Sequence, residues 1–526
     1  MILINSSSYI NAEFEAEIGR IPPCMLPIGN KKLLQLQVEA VERQFPTEKI
    51  ILSLPDAYVL TINEQAVIES LPITVQRIPE NLSLSETLLY ILNLDIDKSF
   101  EYVRVIQGDV FLPKLPSACD CVAVSEKMRQ YDWHQTRRLR ESPTGWVGYF
   151  AFSSRLELIK ALAICKKNFM RAIYRYQEVV GMQLVKTGLY YDCSSFVSYI
   201  HARANMTTER AFNALQIQDG IVTKSSDDND KIQAEIYWFT HIPASLRRFT
   251  PQLIDYQQIE GRHYYRLEFL PLLPLNELYV HGRNTRDFWQ HVFGLLAELF
   301  QAANQSDIHQ TIETGFAQAY AEDLYRKKTL KRLYAYAEAT QLDLDAPIFY
   351  EGQNLGSTLE IAQDCIEKAL ALPCSVSVMH GDLCFSNILY DTRGNRVKVI
   401  DPRGTDSSGN FSIFGTARYD LAKLSHSVLG MYDFIIAGRY EIVAAADGDS
   451  DSIRFDIDER LDQIRQDFLA MSWVNGLTTA EILPAVVLLF LSMLPLHADR
   501  PDRQRAMRLN AYRLYQAYVM EGVPCL

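Results

Sequence analysis

The chain has 526 residues, 48% of them hydrophobic and 22% charged, with a net charge of -12. That composition supplies apolar matter for substantial cores, and the length implies more than one domain. The acidic balance disfavours nucleic-acid or anionic-membrane binding as the main activity, and the basic run Arg137-Arg138-Leu139-Arg140 reads as a solvated face. The nine cysteines are scattered without C-x-x-C spacing, so neither a zinc site nor a disulfide framework is expected.

In chain order, Met1 to Ile4, Ile50 to Leu54, Ile73 to Ile78, Tyr102 to Gln107 and Cys121 to Ser125 are short apolar runs of the buried-strand type. Lys32 to Gln44 and Ser83 to Leu92 read as helices between them, and the alternation predicts a doubly wound α/β domain. Met1 opens a strand-like run with no basic region or cleavage site, so no signal peptide is expected and the location predicted is cytoplasmic.

Met25-Leu26-Pro27-Ile28-Gly29-Asn30-Lys31-Lys32-Leu33-Leu34 is similar to the L-P-V-x-x-K-P-L-L segment of the sugar nucleotidyltransferases. Gln107-Gly108-Asp109 ends a strand as their metal-binding G-D does, and Gly148 to Phe152 resembles their later strand. Tyr191-Asp192, with Phe196 and Tyr199, resembles the W-x-D-x-G-x-x-x-x-Y segment that carries the second metal Asp. The resemblance implies that Asp109 and Asp192 share a Mg²⁺ bridging a second nucleoside triphosphate and a sugar phosphate. Read from the residues alone, both aspartates also suit strand caps. The chain departs from the family in three places. Asn5-Ser6-Ser7-Ser8-Tyr9 stands where glycines would wrap backbone N–H groups around a triphosphate. Pro23 replaces the lysine of P-K-x-x-x-P, and Cys193 follows Asp192. The expectation is therefore a degenerate binding or scaffolding domain, with an active nucleotidyltransferase as the alternative.

Phe212 to Ile217 and Ile221 to Ser225 read as strands around the hairpin signal Asp219-Gly220, with Lys224 near the end of the second. Asp230 to Phe239 reads as a helix with Ile232, Ile236 and Phe239 on one face and Glu235 within it. Tyr264 to Leu270 is an apolar strand suited to a hinge, before Pro271 and Pro274. Helical stripes follow at Phe288 to Ala303, Ala317 to Thr340, Leu359 to Ala371, Tyr419 to Leu429, Ile457 to Ser472 and Ala506 to Met520. Ile482 to Leu496 is the most apolar run. At 15 residues, with Pro484 and Pro495 near its ends, it is short for a bilayer and fits a buried helix, so no transmembrane segment is expected.

The chemistry concentrates in residues 380–401, HGDLCFSNILYDTRGNRVKVID. Asp382 follows His380-Gly381, and Asn387 lies five residues on, giving H-x-D-x-x-x-x-N, the spacing of a kinase catalytic loop. Two short strands around Asp391 to Asn395 form a hairpin that returns Asp401 beside Asn387. Phosphoryl transfer needs a carboxylate at the attacking hydroxyl and oxygen ligands for Mg²⁺. Asp382 fits the first role; Asn387 and Asp401 fit the second. A kinase small lobe also supplies a lysine for the nucleotide phosphates and a helix glutamate to hold it. Lys224 and Glu235 are the candidates, with Lys231 as a rival lysine.

The same segment resembles the aminoglycoside phosphotransferase and choline kinase family, in the version found in bacterial capsule and surface-polysaccharide clusters. Its motif reads H-G-D-x-x-x-x-N followed by a metal-binding Asp, and Arg418-Tyr419-Asp420-Leu421-Ala422-Lys423-Leu424 matches the family's Y-D-L-A helix. The resemblance implies that Asp420 anchors the catalytic loop, with His380 supporting it, while Asp382 is the base and Asn387 and Asp401 hold metal. Pro402-Arg403-Gly404 departs from the commoner continuation. Arg403 reads either as a ligand for phosphate or an acidic substrate or as a surface ion pair.

The expected organisation is an α/β nucleotidyltransferase-like, doubly wound domain over residues 1–205, followed by an α+β bilobal protein-kinase-like domain over 206–526. The latter divides into a small lobe at 206–275 and a helical large lobe at 276–526. The expected activity is ATP- and Mg²⁺-dependent phosphorylation of a hydroxyl on a small metabolite or sugar, in capsule or surface-polysaccharide biosynthesis. The alternatives are a bifunctional kinase and nucleotidyltransferase, or a non-catalytic assembly protein.

Overall fold

The structure, a computed structural model, describes residues 1–94, 101–125, 145–208, 214–304, 315–444, 451–455 and 457–520. Arg137 to Arg140, Cys525 and the expected strand start at Phe212 and Asn213 lie outside the described residues. The chain divides into two units, Met1–Glu209 and Arg210–Leu526.

The first unit is built on strands β1 (Ile2–Asn5), β2 (Ile50–Pro55), β3 (Ile73–Ile78), β4 (Val103–Gln107), β5 (Val110–Phe111), β6 (Cys121–Ser125), β7 (Gly145–Phe152), β8 (Gln183–Lys186) and β9 (Tyr191–Asp192). Seven of these form one sheet in the order β8-β6-β7-β4-β1-β2-β3. Its pairings are parallel except that β7 runs antiparallel to both of its neighbours. Parallel strands need covered faces, which explains why Ile2, Leu3 and Ile4 are all fully buried. One face packs Leu3, Val105 and Phe150 against Leu88 and Leu92 of the helix Leu84–Leu94 and against Leu158, Leu162 and Tyr176 of two later helices.

The second unit begins with an antiparallel sheet of strands β10 (Ala214–Gln218), β11 (Ile221–Ser225), β12 (Leu253–Ile259) and β13 (Arg262–Glu268), in the order β10-β11-β13-β12. Asp219 and Gly220 both take positive φ, 51° and 76°, the geometry a two-residue hairpin of this twist requires. Helix α1 (Asn229–His241) packs on β13, its N-terminus capped by Asp228, whose side chain accepts the Lys231 N–H. The expected hinge at Tyr264 to Leu270 is mostly sheet interior, because Tyr264 to Glu268 pair with β11. The connection onward is residues 269–274, ending where Leu273 and Pro274 pair with the downstream hairpin.

The rest is helical. The segment expected as one helix from Ala317 to Thr340 is two helices, Phe316–Glu322 and α2 (Lys328–Thr340), joined by a π-helical turn at Asp323–Lys327. The hairpin β14 (Ile388–Asp391) and β15 (Arg396–Val399) follows, then α3 (Ala417–Val428). The most apolar helix, α4 (Thr479–Met493), continues as a 3₁₀ turn to His497, and the two together are long and apolar enough to cross a membrane. Most of that stretch is buried here, packed against α2, α3 and the helices Thr358–Ala371 and Pro501–Leu514.

Candidate active site

Lys224 sits in β11 opposite Tyr265 of β13, and both side chains are buried against α1. Its ammonium lies 2.8 Å from Glu235 Oε2 and 2.9 Å from Asp401 Oδ1. Burial alone would lower the Lys224 pKa, but Asp401 and Glu235 together hold it above the ordinary lysine value. Burial likewise raises the Glu235 carboxyl against the pull of Lys224. The Tyr265 hydroxyl donates to the same carboxylate. Lys231, the rival lysine, is exposed in the first turn of α1.

Asp401 adopts φ +59°, a left-handed conformation tolerated by Asp, just after β15. The loop that follows presses on α1: a Cβ at Gly404, where φ is +67°, would lie 1.9 Å from the Ala234 carbonyl oxygen. Only glycine lets the Asp401 loop reach the helix that carries Glu235. The Trp238 indole N–H, from the same helix, donates to Met379 O at 2.8 Å.

The 380 loop is held from behind by Asp420. Its two carboxylate oxygens accept the His380 N–H at 2.7 Å and the Gly381 N–H at 2.8 Å. Burial pushes its pKa up to about 7, opposed by those two amides. His380 donates from Nε2 to Ile400 O at 2.9 Å, and its Nδ1 accepts the Asp382 N–H at 3.3 Å. Burial lowers its pKa to about 4, so it is a neutral brace between the loop and β15.

Asp382 keeps 42% of its side chain open and pairs with Lys423 at 2.9 Å. Burial by itself would raise this carboxyl, but Lys423 and Arg403 hold it well below the usual carboxylate range. Asn387 donates from Nδ2 to Asp382 O at 2.9 Å and to Asp382 Oδ2 at 3.1 Å. That fixes the amide orientation and leaves its carbonyl oxygen as an acceptor. The hairpin brings Asp401 back as the spacing predicts, since Ile400 N–H bonds to Asn387 O at 3.0 Å. Asn387 Oδ1 and the second Asp401 oxygen are hard donors that suit Mg²⁺. No group of three His, Cys, Asp or Glu side chains has metal-holding geometry among the described residues. A magnesium ion here would need phosphate oxygens to complete its shell, the usual arrangement for nucleotide-bound Mg²⁺.

Arg403 is not a surface ion pair. It donates to the Tyr419 hydroxyl at 3.0 Å and lies 4.8 Å from that ring's centroid. Lys423 and Tyr265 were not assigned roles from the sequence. Lys423 lies three residues after Asp420, on the adjoining face of the same helix, and that spacing was the available signal. For Tyr265 the signal was its strand register with Lys224, which required knowing how β11 and β13 pair.

In the first unit, β5 and β9 pair antiparallel with Asp192 opposite Val110, and the Cys193 N–H bonds to Asp109 O at 2.8 Å. Asp109 and Asp192 are thus neighbours across a two-stranded ribbon. Asp192 is 2% exposed; Oδ1 accepts the Ser194 N–H at 2.9 Å, and Oδ2 has no hydrogen bond among the described residues. Ser6, after β1, is taken up in packing. Ser6 Oγ accepts the Cys24 N–H, and Ser6 N–H donates to Ser53 Oγ, both at 3.0 Å. Lys32 is buried and paired with Glu64 at 3.4 Å.

Residues 215–451 match the model of the phosphotransferase enzyme family. No curated protein matches the chain in sequence. Among solved structures, the GDP complex of aminoglycoside 2'-phosphotransferase-IIIa is 13% identical, with 58% of this chain and 89% of that chain covered and a TM-score of 0.35. A putative aminoglycoside phosphotransferase from Ralstonia eutropha is 11% identical over 58% of this chain and 92% of that chain, at a TM-score of 0.33. The nucleoside-diphosphate-sugar pyrophosphorylase from Vibrio cholerae RC9 is 13% identical over 39% of this chain and 100% of that chain, at a TM-score of 0.33. The family match spans Lys224, Glu235, Asp382, Asn387, Asp401 and Asp420, and it lies within the second unit.

Proposed function

We propose that the protein is an ATP-dependent phosphotransferase that phosphorylates a hydroxyl of a small metabolite or sugar. The observation that carries this reading is the Lys224 ammonium held between Glu235 and Asp401 while Asn387 grips Asp382. Lys224 neutralises nucleotide phosphate, Glu235 and Tyr265 fix its position, and Asp382 orients the acceptor hydroxyl and receives its proton. A magnesium ion held by Asn387 and Asp401 would neutralise charge on the transferred phosphoryl group. Cytoplasmic location and a place in surface-polysaccharide assembly belong to this proposal. The test is ATP consumption by the full chain against a library of polyols, amino alcohols and sugars. Turnover that needs an acceptor and vanishes in Asp382→Ala supports the reading, and near-normal turnover in that variant removes it.

A second reading, a bifunctional enzyme, is favoured by one observation: the buried Asp192 Oδ2 without a donor, beside Asp109. Asp109-dependent pyrophosphate release from a nucleoside triphosphate and a sugar phosphate would establish it.

A further inference from the structure

Beside the Asp382 loop, cations gather around the Tyr419 hydroxyl, and three of them have no carboxylate in salt-bridge contact among the described residues. Arg403 donates to that hydroxyl at 3.0 Å and Lys328 at 3.3 Å, and both face the same ring, at 4.8 and 5.7 Å from its centroid. Arg332 stands one turn beyond Lys328 on α2, on the same helix face, with one guanidinium nitrogen 3.3 Å from Ser492 O. Among the described residues, no Asp or Glu lies within ion-pair distance of Lys328, Arg332 or Arg403. Lys423 is close by, but it is committed to Asp382.

Like charges crowded in this way repel unless an anion joins them. Tyr419 favours the charged form of Lys328, yet burial with Arg403, Arg332 and Lys423 pushes the Lys328 pKa below the ordinary lysine value. Burial opposes ionisation of Tyr419, but Arg403, Lys328 and Lys423 bring its pKa down to about 6. Three cations around one phenol make an excess of positive charge that suits a dianionic phosphomonoester. Two guanidinium groups also suit oxyanions through their paired N–H donors.

The position is as informative as the charge. The Arg403 N–H bonds to His380 O at 2.8 Å, and a Cβ on Gly381 would lie 2.7 Å from Arg403 Cβ, so the cluster adjoins the Asp382 loop. Lys328 directly follows the π-helical turn Asp323–Lys327, an irregularity that changes the helical phase at this point and is frequent at functional sites.

We propose that the acceptor of this phosphotransferase is itself a phosphomonoester, whose dianion is bound by Lys328, Arg332 and Arg403 while a hydroxyl elsewhere on the same molecule faces Asp382. This rests on the phosphotransferase reading above. In the transfer, the acceptor oxygen forms a bond to the γ-phosphorus and the bond from that phosphorus to the bridging oxygen of ATP breaks. ADP leaves, and the hydroxyl proton passes to Asp382. The product carries two phosphoryl groups.

The experiment measures steady-state transfer from ATP by the full chain to matched acceptors: a polyol or sugar, its phosphomonoester, the corresponding carboxylate and the corresponding amine. The phosphomonoester is expected to exceed the neutral compound by about 100-fold or more in kcat/KM. Lys328→Gln and Arg332→Gln should each raise KM for it about 10- to 100-fold with kcat within about threefold, and Lys328→Arg should restore most of the loss. Inorganic phosphate should compete with the acceptor and not with ATP. Equal use of neutral or amine acceptors, or unchanged KM in both glutamine variants, overturns this inference and leaves the kinase reading standing. A clear preference for the carboxylate overturns the phosphomonoester assignment. ATP turnover that ignores Asp382→Ala overturns both.

Discussion

Asp382 and Asp401 in the second unit each lie against a lysine and keep 42% and 45% of their side chains open, whereas Asp192 in the first unit is 2% exposed and has one oxygen without a donor. The loops in front of these carboxylates differ in the same sense. Residues 380–387 are tied down by Asp420, His380 and Asn387 from behind, leaving the reactive edge accessible. Ser6, after β1, uses its own polar groups on Cys24 and Ser53, where a triphosphate loop would point donors at its ligand. Matching acidic residues at strand ends do not make equivalent sites; what distinguishes them is whether neighbouring donors and cations are left for a ligand.

The largest effects should come from removing the carboxylates. Asp382→Ala and Asp401→Ala should each lower acceptor-dependent ATP turnover by about 10³-fold or more. Asp109→Ala should leave that turnover as it is. A loss in Asp109→Ala equal to that in Asp382→Ala would erase the contrast between the units.

Lys224→Met should lower kcat/KM for ATP and also destabilise the second unit, because Glu235 would remain buried without its cation; the cost is about 3 kcal/mol, read by denaturant unfolding. Gly404→Ala places a side chain on the Ala234 carbonyl at positive φ and should lower both stability and turnover by about 1–3 kcal/mol equivalents.

Lys423→Gln tests the electrostatics alone. Lys423 is what holds Asp382 ionised against burial, so removing it should raise the pKa of that carboxylate and move the acid limb of the kcat/KM profile to higher pH. An unmoved acid limb would mean that Lys423 does not set the charge of Asp382. The smallest effect belongs to the first unit. Asp192→Asn should shift the melting free energy by less than about 1 kcal/mol, with or without magnesium. Magnesium-dependent stabilisation that disappears in this variant would make the ribbon at Asp109 and Asp192 a metal site.

Much of this was legible in the sequence because it is local. The Asp219-Gly220 hairpin, the return of Asp401 beside Asn387, and the alternation that sets β1 to β4 in a parallel sheet all follow from short-range turn chemistry and periodicity. The Lys224–Glu235 pair follows from its place on a strand and the next helix, although Lys231 could be set aside only when its exposure was seen. What stayed hidden depends on contacts distant in sequence. Arg403 finds Tyr419, and Lys328 finds the same hydroxyl from a helix some ninety residues away. The π-helical turn before Lys328 was hidden as well, since an apolar stripe of period 3.6 does not announce an extra residue in one turn.

The central claim is that the site around Asp382 and Asp401 moves the γ-phosphoryl group of ATP onto an organic hydroxyl. Following radiolabelled γ-phosphate by thin-layer chromatography, with the parent chain and Asp401→Ala assayed side by side on the acceptor library, tests it most directly. The expected result is label on an acceptor with the parent and none with the variant. Label appearing only as inorganic phosphate for every acceptor, or equal acceptor labelling by Asp401→Ala, would contradict it.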